Sequence, residues 1–377
     1  MRLFFLPLLL LLGITASPQS RLTLRLDSVF HSYPADSPGF VLSIEKKGEV
    51  LYRNAVGRTR MYVAARVTPD QPLDSLTNFR MASVTKQFTA MGIFLLEKEG
   101  RLSFDDPIGR WLPELPTRVG QQVMIRHLLT HTSGILDYEP LAYEHDSIFP
   151  SPILRQVLDS NVLHLLSTHD SLYFMPGSKF QYSNSGFCLL ALIIERVSHQ
   201  PFASFLKERV FLPLHMDHSI VYEEGQSIDH RAMGFARDSA GRIFPSDQSL
   251  TSATKGDGGV YTSVSDYSKW IKALQDNRLI LLGSTLRRLR KPIGKVQKDY
   301  YAGGWFMTGD SPLILFHSGS TCGFSNFVIQ LPGDEWSIFY FSNIADNSKP
   351  FRDIVRILQQ EGVGDFSPVF RLHDMTN

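Results

Sequence analysis

The run from Phe88 to Leu96 limits this chain more than any other stretch. It carries Ala90, Met91, Ile93, Phe94, Leu95 and Leu96. On a helix it would be apolar nearly all round, which is the pattern of a helix buried in a core. Gly100 supplies a stop. At the mouth of this run stands Ser83-Val84-Thr85-Lys86. Positions i and i+3 share a helix face, so the Lys86 amine can reach the Ser83 hydroxyl. Serine beside an amine is the smallest kit for an activated oxygen nucleophile. A buried helix would hold it more rigidly than a loop.

The spacing alone is weak, because S-x-x-K also begins at Ser43, Ser204 and Ser252. Ser43 and Lys46 fall in a predicted hairpin over 40–56, where i and i+3 point to opposite faces. Ser204 and Lys207 sit on an amphipathic stretch with no accompanying motif. Ser252 runs into Gly256-Asp257-Gly258-Gly259, a loop. Only Ser83 combines helical phase with buried support.

Two more fragments carry chemistry. Pro176-Gly177 turns into Tyr182-Ser183-Asn184, and a helix is expected from about Gly186 to Val197. A tyrosine hydroxyl beside an ammonium can exchange a proton with it. An asparagine amide can hold an amine and a substrate amide together. Tyr52-Arg53-Asn54 repeats the spacing, but inside the hairpin. The other fragment, His317-Ser318-Gly319, follows Pro312–Phe316, which reads as a strand. Glycine there would let a ligand approach the backbone. The strand edge would then offer a backbone N–H, that of Ser320, to a developing oxyanion.

Taken in order, Ser83-x-x-Lys86, Tyr182-x-Asn184 and His317-Ser318-Gly319 resemble the motifs of the penicillin-recognising serine hydrolases. Within them the chain is similar to the class C β-lactamase-like group, which includes D-alanyl-D-alanine carboxypeptidases, D-aminopeptidases and esterases. Phe79–Gln87, Ile125–Gly134 and Gly258–Asp266 add longer matches, and the likeness runs over about residues 25 to 362. The resemblance implies an α+β fold: an antiparallel sheet flanked by helices, with an inserted helical part. It also implies roles. Ser83 is acylated, while Lys86 and Tyr182 share proton transfer. Asn184 orients Lys86 and substrate. The N–H groups of Ser83 and Ser320 form an oxyanion hole beside Gly319. His317 belongs to the substrate-binding set, and no cofactor or metal is implied. Many β-lactamases of this group carry lysine where this chain has His317. A mostly neutral imidazole suits a substrate carboxylate less well. The expectation is therefore an amide, peptide or ester substrate. The alternatives are a penicillin-binding or sensing protein that acylates slowly, or a true β-lactamase.

The N-terminus pairs Arg2 with an apolar stretch from Leu3 to Ile14 and small residues at Thr15-Ala16-Ser17. That is the pattern of a signal peptide over residues 1–16, too short for an ordinary membrane span. The expected location is periplasmic or secreted, with no stable membrane span after cleavage and no set oligomeric state. With 38 basic and 37 acidic residues and no basic run, the chain has no nucleic-acid signature. The two cysteines, Cys188 and Cys322, are expected to be buried free thiols. His127 and His131 are four apart but lack the frame of a zinc site. His131 is expected to hold the Thr132-Ser133-Gly134 turn. One hydrolase domain is expected over 20–363, with sheet parts near 20–80 and 255–363 and a helical part near 83–250. The segment 139–172 would be a loop covering the cleft, and 364–377 a loose tail.

Overall fold

Alternation along Trp336–Ser342 sets the two faces of the main sheet. Tyr340 points to one side, where its ring meets Phe351 at 5.7 Å between centroids. Phe339 and Phe341 point to the other, meeting Tyr267 at 5.0 and 5.5 Å. This is the period of two expected of a strand covered on both faces. The computed structural model describes residues 18–61, 70–144, 156–293, 299–309 and 313–373. The proposed signal peptide lies outside them.

The main sheet has eight antiparallel strands. Their spatial order is Glu49–Val56, Phe40–Lys46, Trp336–Ser342, Phe324–Leu331, Leu315–Thr321, Trp305–Thr308, Asp299–Ala302 and Lys291–Pro292. The predicted hairpin at 40–56 is present, and a second hairpin spans 324–342, where Pro332-Gly333-Asp334 makes the turn. Lys47 and Gly48, both at positive φ, close the first tightly. Helices Pro18–His31 and Ser348–Gln360 pack together on one face. In the latter, Phe351, Ile354, Val355 and Leu358 are buried with the spacing of an amphipathic helix. Helix Val264–Gln275 covers the opposite face through Tyr267.

Lys86–Lys98 is the central helix, and every residue from Lys86 to Leu96 is buried. Each large apolar side chain there contributes roughly 1.5–3 kcal/mol on burial. Phe88 lies 4.6 Å from Trp270, and Gln87 Oε1 accepts from Tyr267 Oη at 2.7 Å. Asn184–Ser198 packs against this helix.

Three expectations change. His317-Ser318-Gly319 lies inside the strand Leu315–Thr321 rather than beyond its end. The described parts of 139–172 contain helices Tyr138–Glu144 and Asp159–Ser167, because Ala142, Val162, Leu163, Leu165 and Leu166 have a core to enter. The described part of the tail, residues 364–373, is docked rather than loose. Phe366 and Val369 are fully buried, and Arg371 pairs with Asp299 at 2.8 Å.

A second, three-stranded sheet was not foreseen. It joins Phe79–Arg80 to Val260–Thr262 and Ile220–Val221. Its strands are two or three residues long, too short for a periodicity signal.

Candidate active site

The small sheet brings two chain segments together. Phe79–Arg80 leads into a 3-10 turn, Ala82–Thr85, that carries Ser83 and feeds the central helix. Its partner strand Val260–Thr262 is preceded by Asp257-Gly258-Gly259. Met81 N–H donates to Val260 O at 2.9 Å, and Val260 N–H donates to Thr85 Oγ1 at 3.1 Å. Ala82 holds φ +48, a strained value for a residue with a side chain.

Lys86 is fully buried, and its ammonium is given three acceptors. Nζ donates to Ser83 Oγ at 3.0 Å, to Asn184 Oδ1 at 2.8 Å and to the Asp257 carbonyl at 3.0 Å. Burial pulls its pKa down, but Tyr182 and Asp257 outweigh that and leave it above the ordinary lysine value. Lys86 is therefore charged at neutral pH. The other S-x-x-K pairs are not assembled. Ser43 Oγ bonds Glu45, and Lys255 pairs with Glu223 at 2.5 Å.

Asn184 is the first residue of its helix, capped by Ser183, whose Oγ accepts from Gly186 N–H at 3.4 Å. Asn184 Nδ2 donates to Glu139 Oε1 at 3.3 Å. Tyr182 stands just before the cap. Its ring centroid is 5.0 Å from Lys86 Nζ, and its buried hydroxyl interacts with the ammonium by charge and hydrogen bonding. His131 holds this segment: its carbonyl accepts from Gln181 N–H at 2.9 Å and its Nδ1 from Ser183 N–H at 3.1 Å. Its ring lies 4.2 Å from that of Tyr182. His131 thus clamps the tyrosine segment, a wider task than the turn assigned to it from sequence. His127 Nδ1 accepts from Met124 N–H at the start of Ile125–Leu129.

His317 is fully buried, with the Tyr301 and Phe306 rings 5.9 and 5.3 Å from its own. Burial pushes its pKa down to about 3, against a raising hydrogen bond to Ser318. Its Nδ1–H donates to Ser318 O at 2.6 Å, and its Nε2 accepts from Tyr301 Oη at 3.2 Å. The neutral tautomer is thereby fixed.

Gly319 has a different use from the one expected. A Cβ there would meet Met81 O at 2.1 Å and Ser83 N at 3.2 Å. The bare backbone makes room for the nucleophile turn, not for a ligand. Pairing with Trp305–Thr308 covers only Leu315 and Phe316, so the strand beyond is free to lie against that turn. Ser320 follows, exposed, in the cleft with Ser83.

Three contributors escaped the sequence reading. The Asp257 carbonyl is an acceptor for Lys86, Glu139 lines the cleft, and Asp159 ties down the loop that leads into Asp257. Asp159 Oδ2 accepts from Lys255 N–H at 2.8 Å and Oδ1 from Gly256 N–H at 3.1 Å. The glycine pair at 258–259 was the one available signal, and it stops one residue short of Asp257. Both cysteines are free; Cys188 is buried, whereas Cys322 is only partly covered because it sits in the turn after Thr321.

A family model described as Beta-lactamase matches residues 26–361. The chain belongs to the Beta-lactamase family. It is a serine hydrolase of that family by its matches. Penicillin-binding protein 4* of Bacillus subtilis is 32% identical over 325 residues, 82% of this chain and 69% of that protein. Protein flp of Staphylococcus aureus is 27% identical over 83% of this chain, which spans 61% of its length. Among solved structures, a penicillin binding protein from Bacillus halodurans aligns with TM-score 0.72 at 24% identity, over 89% of this chain and 98% of that one. A D-amino acid amidase from Ochrobactrum anthropi aligns with TM-score 0.71 at 21% identity, over 91% and 99%. These structural likenesses establish the β-lactamase-family fold. Among the described residues no helix is long and apolar enough to cross a membrane.

Proposed function

We propose that the chain is an exported serine hydrolase that opens amide, peptide or ester bonds through an acyl-enzyme on Ser83. The observation that carries this reading is the buried Lys86 ammonium, 3.0 Å from Ser83 Oγ and braced by Asn184 and Asp257. Ser83 Oγ attacks the carbonyl carbon as its proton passes to the Tyr182 oxygen, which serves as the base in its phenolate form with the charged Lys86 ammonium as counter-ion. The Tyr182 hydroxyl, which interacts with the ammonium by charge and hydrogen bonding, is the group placed to move that proton. The pair returns it to the leaving group as the scissile bond breaks. Water then attacks the acyl-enzyme with the same pair as proton acceptor. The N–H groups of Ser83 and Ser320 receive the oxyanion.

Substrate class follows from charge. His317 is neutral and buried, so it supplies no cation for a substrate carboxylate. That favours an amide, peptide or ester over a penicillin. Export rests on the leader pattern at residues 1–16.

The test is intact-protein mass spectrometry with a fluorophosphonate, a penicillin and a p-nitrophenyl ester. Ser83→Ala should abolish the fluorophosphonate adduct, and Lys86→Ala should slow acylation by about two orders of magnitude or more. Labelling that persists in Ser83→Ala places the nucleophile elsewhere. A lasting penicillin adduct with no turnover of any substrate selects a penicillin-binding protein instead.

A further inference from the structure

A second cavity opens on the sheet face that Val264–Gln275 covers, just past the end of that helix at Leu274 and Gln275. Its volume is about 540 Å³, the size of a small-ligand site. Met307, Leu315 and Gln330 lie directly opposite one another on three neighbouring strands, so their side chains share one face and line it as a row. Leu282 and Leu286, one helical turn apart and both buried, line it from helix Leu282–Leu289. None of its lining residues borders the Ser83 cleft.

Two independent features show what this space can take. Gln330 is 4% exposed, and its Nε2 has no hydrogen-bond partner among the described residues. A buried amide donor left unpaired is costly, and a ligand oxygen removes that cost. The second feature is charge. Arg287 and Arg290 line the cavity from the exposed side of the last helical turn. Their neighbour Arg288 is paired with Glu97 at 2.6 Å, but among the described residues neither Arg287 nor Arg290 has an ion-pair partner. Arg290 lies over the Tyr300 ring at 4.6 Å, an arrangement that leaves the in-plane N–H groups of a guanidinium free to donate. No Asp or Glu is among the described lining residues. An apolar wall, a cationic rim and a buried donor together complement a molecule with an apolar body and an anionic end. The recess is of single-ligand size, which suits a free one-chain acid better than a two-chain lipid held in a bilayer.

We propose that this cavity is a second binding site, for a free amphipathic carboxylate of the fatty-acid class. The alkyl chain lies against Leu282, Leu286, Met307 and Leu315. The Arg287 and Arg290 guanidinium groups neutralise the carboxylate, and the Gln330 amide donates to one of its oxygens. The site does not depend on the hydrolase reading of Ser83.

The test is isothermal titration calorimetry of the full chain with dodecanoate, kept below its micelle concentration, and with dodecyltrimethylammonium as the cation of matched chain. Wild type should bind one dodecanoate per chain at least about tenfold more tightly than the cation at low salt, with the preference shrinking in high salt. The double variant Arg287→Gln/Arg290→Gln changes two exposed side chains. It should weaken dodecanoate at least about tenfold without weakening the cation. Gln330→Met should weaken dodecanoate at least about threefold. No dodecanoate binding overturns the site, and equal affinity for the two amphiphiles reduces it to apolar adsorption and overturns it too. An unchanged affinity in the arginine variant puts the acid elsewhere on the protein, and an unchanged affinity in Gln330→Met removes the buried donor; either result overturns the site as assigned. Sedimentation with anionic phospholipid vesicles, without binding of free dodecanoate, replaces the ligand site with a membrane contact.

Discussion

Gly319→Ala would force apart two backbones that the fold keeps in contact. The added Cβ meets Met81 O at 2.1 Å, Met81 C at 3.2 Å and Ser83 N at 3.2 Å. All three are main-chain atoms, so no rotamer change can clear them. Restoring ordinary contact requires the strand and the nucleophile turn to separate by more than about 1 Å. Misplacing a reacting group by that much costs about 10²-fold in rate, or roughly 2.7 kcal/mol of barrier. The accompanying overpacking should cost about 1–3 kcal/mol of stability. The assay is the second-order rate of Ser83 labelling by a fluorophosphonate, with thermal unfolding run beside it. Gly258→Ala is the steric control. Its Cβ would find Ala82 Cα at 3.8 Å, an ordinary contact, so its melting temperature should stay near wild type. If Gly319→Ala labels within about threefold of wild type, Ser83 does not depend on this approach and the argument from distance fails.

Two further predictions concern charge. His317 stays neutral in the fold because burial holds its pKa to about 3, whereas the unfolded imidazole titrates near 6.5. Stability therefore falls as pH drops from about 6.5 toward 3. Between pH 7 and 5 wild type should lose about 2 kcal/mol that His317→Gln does not lose, as read by urea unfolding. Parallel curves for the two proteins would refute this. Asp159 is the opposite case: burial, then Asp257, raise its carboxyl to about 7 against the hydrogen bonds from Lys255 and Gly256. Its raised value makes the fold lose stability as pH rises from about 4 through 7, a slope that Asp159→Asn should flatten. The Asn variant can accept only one of the two N–H groups with its oxygen, so it should also slow Ser83 labelling by loosening the Asp257 loop.

The sequence made the local half of this site legible. Ser83 and Lys86 sit three residues apart, where helical phase alone brings them together. Tyr182 and Asn184 flank a capping serine, and a helix start follows from the turn before it. The hairpins over 40–56 and 324–342 were readable from alternation and from their turn residues. What stayed hidden depends on distant segments or on the backbone. The third acceptor of Lys86 is a carbonyl, which no side-chain pattern announces. The use of Gly319 depends on the turn that lies across it, more than 230 residues earlier in the chain. His317 reads in sequence as a member of a motif, and its burial against Tyr301 and Phe306 depends on strands that no local pattern announces. Glu139 reads as one acid in a polar stretch until Asn184 is placed beside it.

The order of strands in the main sheet also sets when the protein can become whole. Phe40–Lys46 pairs on one side with the strand that follows it, but on the other with Trp336–Ser342. A nascent chain must therefore carry its first hairpin with one edge open until nearly all the rest has been synthesised. Such contacts between remote segments make folding slow and leave an unpaired edge exposed to other chains meanwhile. Truncation before residue 336 should thus remove more than a terminal ornament: it leaves the opening hairpin without its central neighbour. A chain built this way suits passage through a narrow channel before folding, since its first-made part cannot close the sheet by itself.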